Sequence, residues 1–336
     1  MIDLSLLQKI DSEKMYDVYD RWPEIAKNSF SSDINEYKNS EINHIVFAGM
    51  GGSGALGSIF SSILSKTNIH VSVVKGYLLP KTVDKNTLVI TTSISGNTVE
   101  TLSILDSAKK IDCKILAFSS GGKMEEYSLK NNIDYRKIPL IHSPRASFTN
   151  FLFSMLKVLK PILPIPLEDV NESIKGLEEL KKRISSDNLS IDNPAIELAE
   201  WISGIPLIYY PVGLESSAIR FKNSLQENSK IHAIAEDVLE ASHNGIVAWE
   251  RDSKVKPILI EGKDDHIKTK ERWKILKEYF EFKDIEFKEI HSIEGNILSK
   301  IICLIYLLDY TTIYRAVLSK TDPSPVESID FIKNRL

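Results

Sequence analysis

An apolar, β-forming run, Ile45-Val46-Phe47-Ala48, passes directly into the glycine-rich turn Gly49-Met50-Gly51-Gly52-Ser53-Gly54. Apolar residues then recur at helical spacing from Gly57 to Ile63. Glycines allow positive φ and a close approach of the backbone, and the N–H groups at the start of a helix can face an anion. This stretch therefore predicts a strand, an anion-binding turn and a helix.

A second loop repeats the arrangement. Leu88-Val89-Ile90 predicts another strand, and residues 91–98 come after it and before a second helix, with hydroxyl groups at Ser93, Ser95 and Thr98. We expect Asn97 and Thr98, together with Glu100, to cap that helix. Since loops at the carboxyl ends of neighbouring parallel strands meet in one crevice, the two loops predict a pocket for a phosphate monoester.

The residues in and after these loops disfavour nucleotide binding. Neither loop carries the Gly-Lys-Ser/Thr of an ATP-binding Walker loop. The dinucleotide fingerprint, which the spacing of the first loop matches, expects an acidic residue at the end of the second strand. Here the strand His70–Val74 ends in Lys75-Gly76-Tyr77. We therefore expect a sugar phosphate rather than a nucleotide, the alternative being two tight turns that bind nothing.

Alternating strand-like and helix-like runs fill residues 44–140, which predicts an α/β fold with a doubly wound, flavodoxin-like parallel sheet. Three prolines and the charged helical stretch 167–184 come next, and a second round of alternation begins near residue 207. We predict a first domain over residues 1–160, a helical connection over 161–195 and a second domain over 196–336. The matching turn in the second domain, Gly213-Leu214-Glu215-Ser216-Ser217, carries larger side chains. One phosphate site per chain is therefore expected.

Composition limits the classes of partner. The 336 residues carry a net charge of −4, and the isoelectric point is about 6.0. This balance makes nucleic acid an unlikely binding partner. No signal-like N-terminus and no membrane-spanning run is predicted, the richest apolar segment being 301–308. Cys113 and Cys303 suit reduced core thiols, and the seven histidines are dispersed without a metal-binding spacing. We expect a cytoplasmic enzyme with no metal site.

Several side chains outside the loops could move protons or stabilise charge. Glu227 and His243 form a carboxylate and imidazole pair suited to proton transfer beside a carbonyl. Each has a simpler interpretation, a solvated glutamate at a helix end and a packed or surface histidine. Arg145 could stabilise an anionic intermediate or merely cap a loop. Lys333 lies in the amphipathic run 329–336, which could also be a solvated tail.

Taken together, these motifs resemble the bifunctional phosphoglucose/phosphomannose isomerases, tandem sugar isomerase (SIS) domain proteins known mainly from archaea. The resemblance extends over residues 44–336. It rests on the order of the two phosphate loops, Pro144-Arg145-Ala146, Glu227-Asn228, His243-Asn244 and the lysine-bearing tail. The phosphate loops identify only the superfamily, and the arginine, glutamate, histidine and lysine narrow it to this family.

The resemblance implies a role for each residue. The substrate phosphate would be bound by the backbone of Gly51 and Gly52 and by the hydroxyls of Ser53, Ser93, Ser95 and Thr98. Glu227 would move a proton between C1 and C2 through a cis-enediol, and Arg145 would stabilise the enediolate. His243, with help from Lys333, would assist ring opening. In the family this histidine comes from the partner subunit, which implies a homodimer, and no redox cofactor is needed.

The implied reaction interconverts glucose 6-phosphate and mannose 6-phosphate with fructose 6-phosphate. Family members that accept the mannose epimer can carry a threonine shortly before the tail lysine, and Val326 stands at that position here, with Ser324 and Thr321 nearby. Two alternatives remain, an isomerase of another sugar phosphate and a non-catalytic SIS sensor. A sensor would normally add a basic helix-turn-helix segment, and the 43 residues before the first strand are too few for one.

Overall fold

The computed structural model describes residues 2–38 and 42–335. Contacts divide the chain into two compact units. The first-sheet unit comprises Arg21–Leu167 and Glu327–Leu336, and the second-sheet unit comprises Met1–Asp20 and Glu168–Val326. The first twenty residues thus pack with the second half of the chain. A division of the chain into consecutive domains does not describe this packing.

The elements follow the alternation that the sequence predicts. Three helices come first: α1 (Leu4–Ile10), α2 (Met15–Asp20) and α3 (Trp22–Phe30). The first sheet and its helices are β1 (His44–Ala48), α4 (Gly51–Leu64), β2 (His70–Val74), β3 (Thr87–Ser93), α5 (Val99–Lys109), β4 (Lys114–Ser119), α6 (Gly122–Lys130) and β5 (Asp134–Lys137). Three helices lead onward: α7 (Phe148–Leu159), α8 (Leu167–Ile184) and α9 (Pro194–Trp201).

The second sheet begins at residue 205. Its elements are β6 (Ile205–Tyr210), α10 (Glu215–Asn228), β7 (Ile234–Asp237), α11 (Val238–Ala241), a 3-10 helix (Gly245–Glu250), β8 (Val255–Glu261), α12 (Ile267–Phe282) and β9 (Lys288–His291). The chain closes with α13 (Ile297–Leu318) and α14 (Glu327–Lys333). The charged helix expected over residues 167–184 is confirmed as α8.

Both sheets are entirely parallel. Their strand orders are β2-β1-β3-β4-β5 and β7-β6-β8-β9. Strand β1 lies between β2 and β3, with Ile45 beside both Val71 and Leu88. Every residue of β1 and β3 is buried, as expected for central strands covered by helices on both faces. The predicted fold class, two tandem SIS-type parallel sheets flanked by helices, is confirmed.

Helix α13 organises the core of the second-sheet unit. Its tyrosines Tyr306, Tyr310 and Tyr314 are fully buried. The hydroxyl of Tyr306 donates to the carbonyl oxygen of Tyr19 at 2.8 Å, and that of Tyr310 donates to the carboxylate of Asp20. Buried hydroxyls need such partners, and these two hydrogen bonds fasten the end of α2 to α13.

Helix α13 is also long and apolar enough to cross a membrane by length and composition. However, 83% of its most apolar window is buried inside the protein. A core helix of this kind meets the same criterion, and the buried tyrosine hydroxyls already have partners within the fold. The burial therefore marks α13 as the core helix of its unit.

His44, at the start of β1, should make the stability of the protein depend on pH. The side chain is buried, with Nε2 2.9 Å from Ser72 Oγ and its ring 4.6 Å from that of His70. Burial, and then the charge of His70, lowers the pKa of His44. The unfolded chain therefore takes up this proton first, and the free energy of unfolding should fall as pH drops below about 6.5.

Urea unfolding of the wild type and of His44→Gln, between about pH 7.5 and about pH 5.5, measures this effect. The His44→Gln variant should show a flatter pH dependence. His232→Gln, at an exposed histidine, serves as the control and should follow the wild type. Equal slopes in all three proteins would show that His44 does not contribute.

Candidate functional site

The glycine-rich turn joins β1 to α4. Gly51, the first residue of α4, is exposed and has a φ of +52°. The first hydrogen bond of the helix runs from Gly54 N to Met50 O at 3.1 Å. The N–H groups of Gly51, Gly52 and Ser53 precede this bond, so they have no intrahelical acceptor. The turn therefore presents backbone donors at the positive end of the α4 dipole.

The hydroxyl loop, residues 93–98, is tied to this turn. Ser53 Oγ accepts a hydrogen bond from Ile94 N at 3.2 Å, and only 8% of Ser53 is exposed. Within the loop, Ser93 Oγ lies 2.9 Å from Thr98 Oγ1. Ser95 Oγ accepts from Asn97 N at 3.4 Å. The structure thus brings together the four hydroxyl side chains predicted to bind phosphate.

The expected cap of α5 is wrong in its detail. Thr98 does occupy the N-cap position, but its hydroxyl contacts Ser93 and does not cap the helix. Asn97 Oδ1 instead accepts from Lys123 N at 3.1 Å. In the described part of the chain, α4 likewise lacks a side-chain cap. Two uncapped helix starts therefore border the same loops, an arrangement that an anion would satisfy.

Arg145 belongs to a third segment at this edge of the sheet. It comes after the carboxyl end of β5 and is 7% exposed. The Ser147 hydroxyl braces this segment by accepting from Ile141 N at 2.8 Å. A Cβ placed on Gly52 would lie 4.0 Å from both Ile94 Cδ1 and Pro144 O. The glycine-rich turn, the hydroxyl loop and the arginine segment therefore converge.

Glu227 lies in the last turn of α10, in the second-sheet unit. Its side chain is half-buried, and its carbonyl oxygen accepts from Lys230 Nζ. The neighbouring Asn228 is fully buried, and its Nδ2 donates to Thr312 Oγ1 on α13 at 2.8 Å. The carboxylate is therefore carried by a firmly anchored helix end.

His243 comes after α11 and is exposed. Its backbone N–H donates to Glu240 O at 2.9 Å, and Asn244 Nδ2 donates to Glu240 Oε1 at 2.8 Å. These bonds hold the backbone of the turn while leaving the imidazole at the surface. Lys333, on α14, is also exposed, and no described residue of that helix is buried.

Glu227 and His243 lie at opposite edges of the second sheet. Helix α10 comes after β6 and returns to the amino edge, where β7 begins, whereas His243 comes after the carboxyl end of β7. Helix α10 is 14 residues long, about 21 Å at 1.5 Å per residue. The second-sheet unit therefore does not bring these two side chains together.

The corresponding turn of the second sheet is surrounded by carboxylates. Glu215 starts α10, and Glu236 and Asp237 end β7. Burial, and then the charges of Glu240 and Asp237, raises the pKa of Glu236. Burial, and then the charge of Glu215, raises the pKa of Tyr210 to about 12. Carboxylates repel a phosphate dianion, so the carboxyl ends of these strands suit an anion less well than the glycine-rich turn and hydroxyl loop of the first sheet do.

Two features of the first site escaped the sequence interpretation. Lys75 Cε lies 3.4 Å from a Cβ placed on Gly54, so this lysine runs beside the first turn of α4. Its position after β2, next to β1 in the sheet, was the available signal. The second feature is the Gly121-Gly122 turn, which packs directly on Gly96. No local pattern in the sequence links these two segments.

Comparison with known proteins assigns both halves of the chain. The family model described as SIS domain matches residues 40–148. The model described as bacterial phospho-glucose isomerase C-terminal SIS domain matches residues 191–336. A crystal structure described as a glucose-6-phosphate isomerase like protein from Thermus thermophilus superimposes with a TM-score of 0.68 at 15% identity, covering 100% of both chains. This likeness shows the fold.

Curated relatives align over nearly the whole chain. The bifunctional phosphoglucose/phosphomannose isomerase of Caldicellulosiruptor bescii is 35% identical over 323 residues, which cover 93% of this chain and 94% of that protein. The protein of the same name from Aquifex aeolicus is 33% identical over 322 residues, 94% of each chain. With both its sheets and its sequence accounted for in this way, the chain belongs to the bifunctional phosphoglucose/phosphomannose isomerase family.

Proposed function

We propose that the protein interconverts glucose 6-phosphate and mannose 6-phosphate with fructose 6-phosphate. The observation that carries this proposal is the meeting of two uncapped helix starts with the Ser53, Ser93, Ser95 and Thr98 hydroxyls. Its relatives are named as isomerases of both hexose phosphates. Backbone donors at Gly51 and Gly52 would complete the binding of the phosphate.

Glu227 acts as the base in this proposal. Its carboxylate takes the proton from C2 of the open-chain aldose, and the C1 carbonyl oxygen takes up the negative charge as one oxygen of a cis-enediolate. A proton then passes from the C2 hydroxyl to the C1 oxygen. Return of the carbon-bound proton from Glu227 to C1 forms the carbonyl at C2 and gives the ketose. The buried Arg145 guanidinium stabilises the negative charge that develops on the enediolate oxygens. The bound phosphate supplies binding energy that is remote from the reacting carbons.

Ring opening requires a proton donor at the ring oxygen, and we assign this to His243 with help from Lys333. Because Glu227 and His243 of one chain lie at opposite edges of the second sheet, His243 of the partner subunit suits the role better. A homodimer follows from this assignment. The exposure of His243 and of its neighbour Val247, 57% exposed, is consistent with a surface that a second copy covers.

Acceptance of both epimers follows from the enediol, since C2 is planar and either face can be reprotonated. Val326 has no hydroxyl group, so it cannot make the hydrogen bond that a threonine would make at this position. Ser324 is buried nearby, and its backbone N–H donates to Asp322 Oδ1 at 2.9 Å. We therefore expect the glucose reaction to be faster than the mannose reaction.

We also place the reaction in the cytoplasm. Both cysteines are free thiols. Burial raises the pKa of Cys303 to about 12, which keeps this thiol protonated and unreactive. Free thiols are typical of a reducing compartment.

The proposal is tested by following fructose 6-phosphate by NMR in deuterated buffer that contains EDTA. Formation of glucose and mannose 6-phosphates labelled with deuterium at C2 is the expected result. Turnover that stops with EDTA would contradict a metal-independent reaction. If these substrates stay unchanged while a pentose phosphate or an amino-sugar phosphate reacts, the substrate assignment is wrong; binding without any turnover would favour a sensor.

Arg145→Ala should lower kcat by about 10²- to 10³-fold, because a charge-stabilising donor is lost, with a much smaller change in KM. Arg145→Lys should recover only part of the rate, since an ammonium lacks the planar fork of donors. Steady-state kinetics with fructose 6-phosphate gives both constants. Arg183→Ala, at an exposed arginine on α8, is the control. A rise in KM at constant kcat would reassign Arg145 to ground-state binding.

A further inference from the structure

A buried ion pair joins α10 to α13 two helical turns before Glu227. Arg220 is 3% exposed and Asp309 is 0% exposed. The Nε and Nη2 groups of Arg220 donate to Asp309 Oδ2 at 2.9 and 2.6 Å. Ser224 Oγ donates to Asp309 Oδ1 at 2.7 Å, and the Tyr19 hydroxyl donates to Oδ2 at 3.4 Å. Both oxygens of this buried carboxylate are therefore satisfied.

The polar contacts continue to the end of α10. Asn228 Nδ2 donates to Thr312 Oγ1, and Ser229 Oγ donates to Thr312 O, both at 2.8 Å. Thr312 Oγ1 in turn donates to Asp309 O at 2.7 Å. Residues 220, 224 and 228 are spaced four apart and so share one face of α10. They form a continuous polar seam against α13, all of it buried.

Such a seam is a costly way to hold two helices together. Apolar side chains of similar volume often stabilise a core as well as a buried ion pair, whereas a pair with one partner missing leaves an uncompensated charge. An apolar seam would tolerate small rotations and slides of α10 along α13. The directional bonds of Asp309 and Thr312 do not, because each shift breaks several of them.

We propose that the Arg220–Asp309 pair, continued by Asn228 and Thr312, positions the carboxylate of Glu227 for proton transfer. The inference rests on the proposed function, in which Glu227 is the base. Glu227 is seven residues after Arg220, almost two full turns, and adjacent to Asn228. The seam therefore fixes both the rotation and the axial position of the turn that carries Glu227. A displacement of about 1 Å at a reacting group can cost about 10²-fold in rate.

The decisive variant replaces both charges by apolar residues, Arg220→Met with Asp309→Leu, so that no unpaired charge remains in the core. Replacing the ion pair with apolar side chains removes the cost of burying two charges, whereas the Ser224 and Tyr19 hydroxyls lose their acceptor. Thermal unfolding of the variant therefore sets the temperature at which its folded form is assayed. We expect kcat for fructose 6-phosphate to fall about 10- to 100-fold, with KM within about threefold of the wild type. The primary isotope effect with glucose 6-phosphate deuterated at C2 should rise, because proton transfer becomes the slow step.

Two further variants sharpen the test. Thr312→Val removes the acceptor of Asn228 and the hydrogen bond from Thr312 to Asp309 O, keeps the ion pair, and should lower kcat by a smaller factor. Lys277→Met with Glu261→Leu removes the 3.1 Å ion pair of α12 and β8 in the same unit, and should leave kcat unchanged. A positioning role is ruled out if the double variant of the seam keeps the wild-type kcat, or if its loss of rate only matches a loss of folded protein.

These outcomes separate the inference from the proposed function. If the wild type fails to isomerise either hexose phosphate, the proposed function fails, and the positioning role fails with it. If the wild type is active and Glu227→Gln is inactive, the assignment of Glu227 as the base is supported. A fully active seam variant would then overturn the positioning role alone.

Discussion

Replacing Glu227 with glutamine should remove isomerisation and leave the binding of sugar phosphates close to the wild-type level. Glutamine keeps the size of the side chain, but its amide cannot accept a proton from carbon. A positioned base contributes about 10²- to 10⁴-fold to the rate, so kcat should fall by at least this factor. Binding should persist because the hydroxyls and backbone donors at Gly51, Gly52 and Ser53 belong to the other unit.

Two measurements on Glu227→Gln check this expectation. Exchange of the C2 proton of glucose 6-phosphate with deuterated solvent should disappear, and calorimetric titration with fructose 6-phosphate should give a Kd near that of the wild type. Glu215→Gln is the matched control, because Glu215 is an exposed carboxylate at the opposite end of the same helix. It should exchange and bind normally. Exchange that continues in Glu227→Gln would remove Glu227 from its role as the base.

The meeting of the glycine-rich turn with the hydroxyl loop could be predicted from the sequence because each segment is local, and phosphate binding there stays a prediction. Each loop comes directly after its own strand, and parallel pairing of β1 with β3 places both at one edge. The cap of α5 was predicted wrongly because Ser93 competes for the Thr98 hydroxyl, and the two meet only in the folded loop. Capping preferences describe an isolated helix and do not include such a partner.

Long-range packing is the second feature that could not be predicted from the sequence. The grouping of Met1–Asp20 with the second half depends on bonds such as that from Tyr306 to Tyr19, 287 positions away in the chain. No periodicity in either segment indicates its partner. The roles of Glu227, His243 and Lys333 stay predictions for a related reason: they depend on substrate and on a second subunit. Their chemistry is suggested by residue type and family, and the variants proposed for them supply the test.

Gly96→Ala should damage the proposed phosphate site more than the loss of any single hydroxyl would. Gly96 has a φ of +73°, and a Cβ at this position would lie 1.7 Å from Gly121 O. Its N–H donates to Ser93 O and its carbonyl accepts from Met124 N, both at 2.9 Å. The loop therefore cannot turn away without breaking these bonds. Backbone strain and overpacking each cost about 1–3 kcal/mol.

The strain falls on the segment between Ser93 and Thr98, so it should appear in binding as well as in stability. We expect the KM for fructose 6-phosphate to rise at least about tenfold, since about 1.4 kcal/mol of lost binding corresponds to a factor of ten. Thermal unfolding should shift downward by several degrees. Both quantities are measured on the same purified variant.

Gly76→Ala separates the collision at Gly96 from the strain of a positive φ. Gly76 also has a positive φ, +157°, but a Cβ there would meet nothing within 4 Å. It should therefore lose some stability and keep its KM. If Gly96→Ala behaves like Gly76→Ala, the packing of Gly121 on Gly96 does not shape the anion site. If only Gly96→Ala loses binding, the close contact between these two glycines holds the hydroxyl loop in its phosphate-binding form.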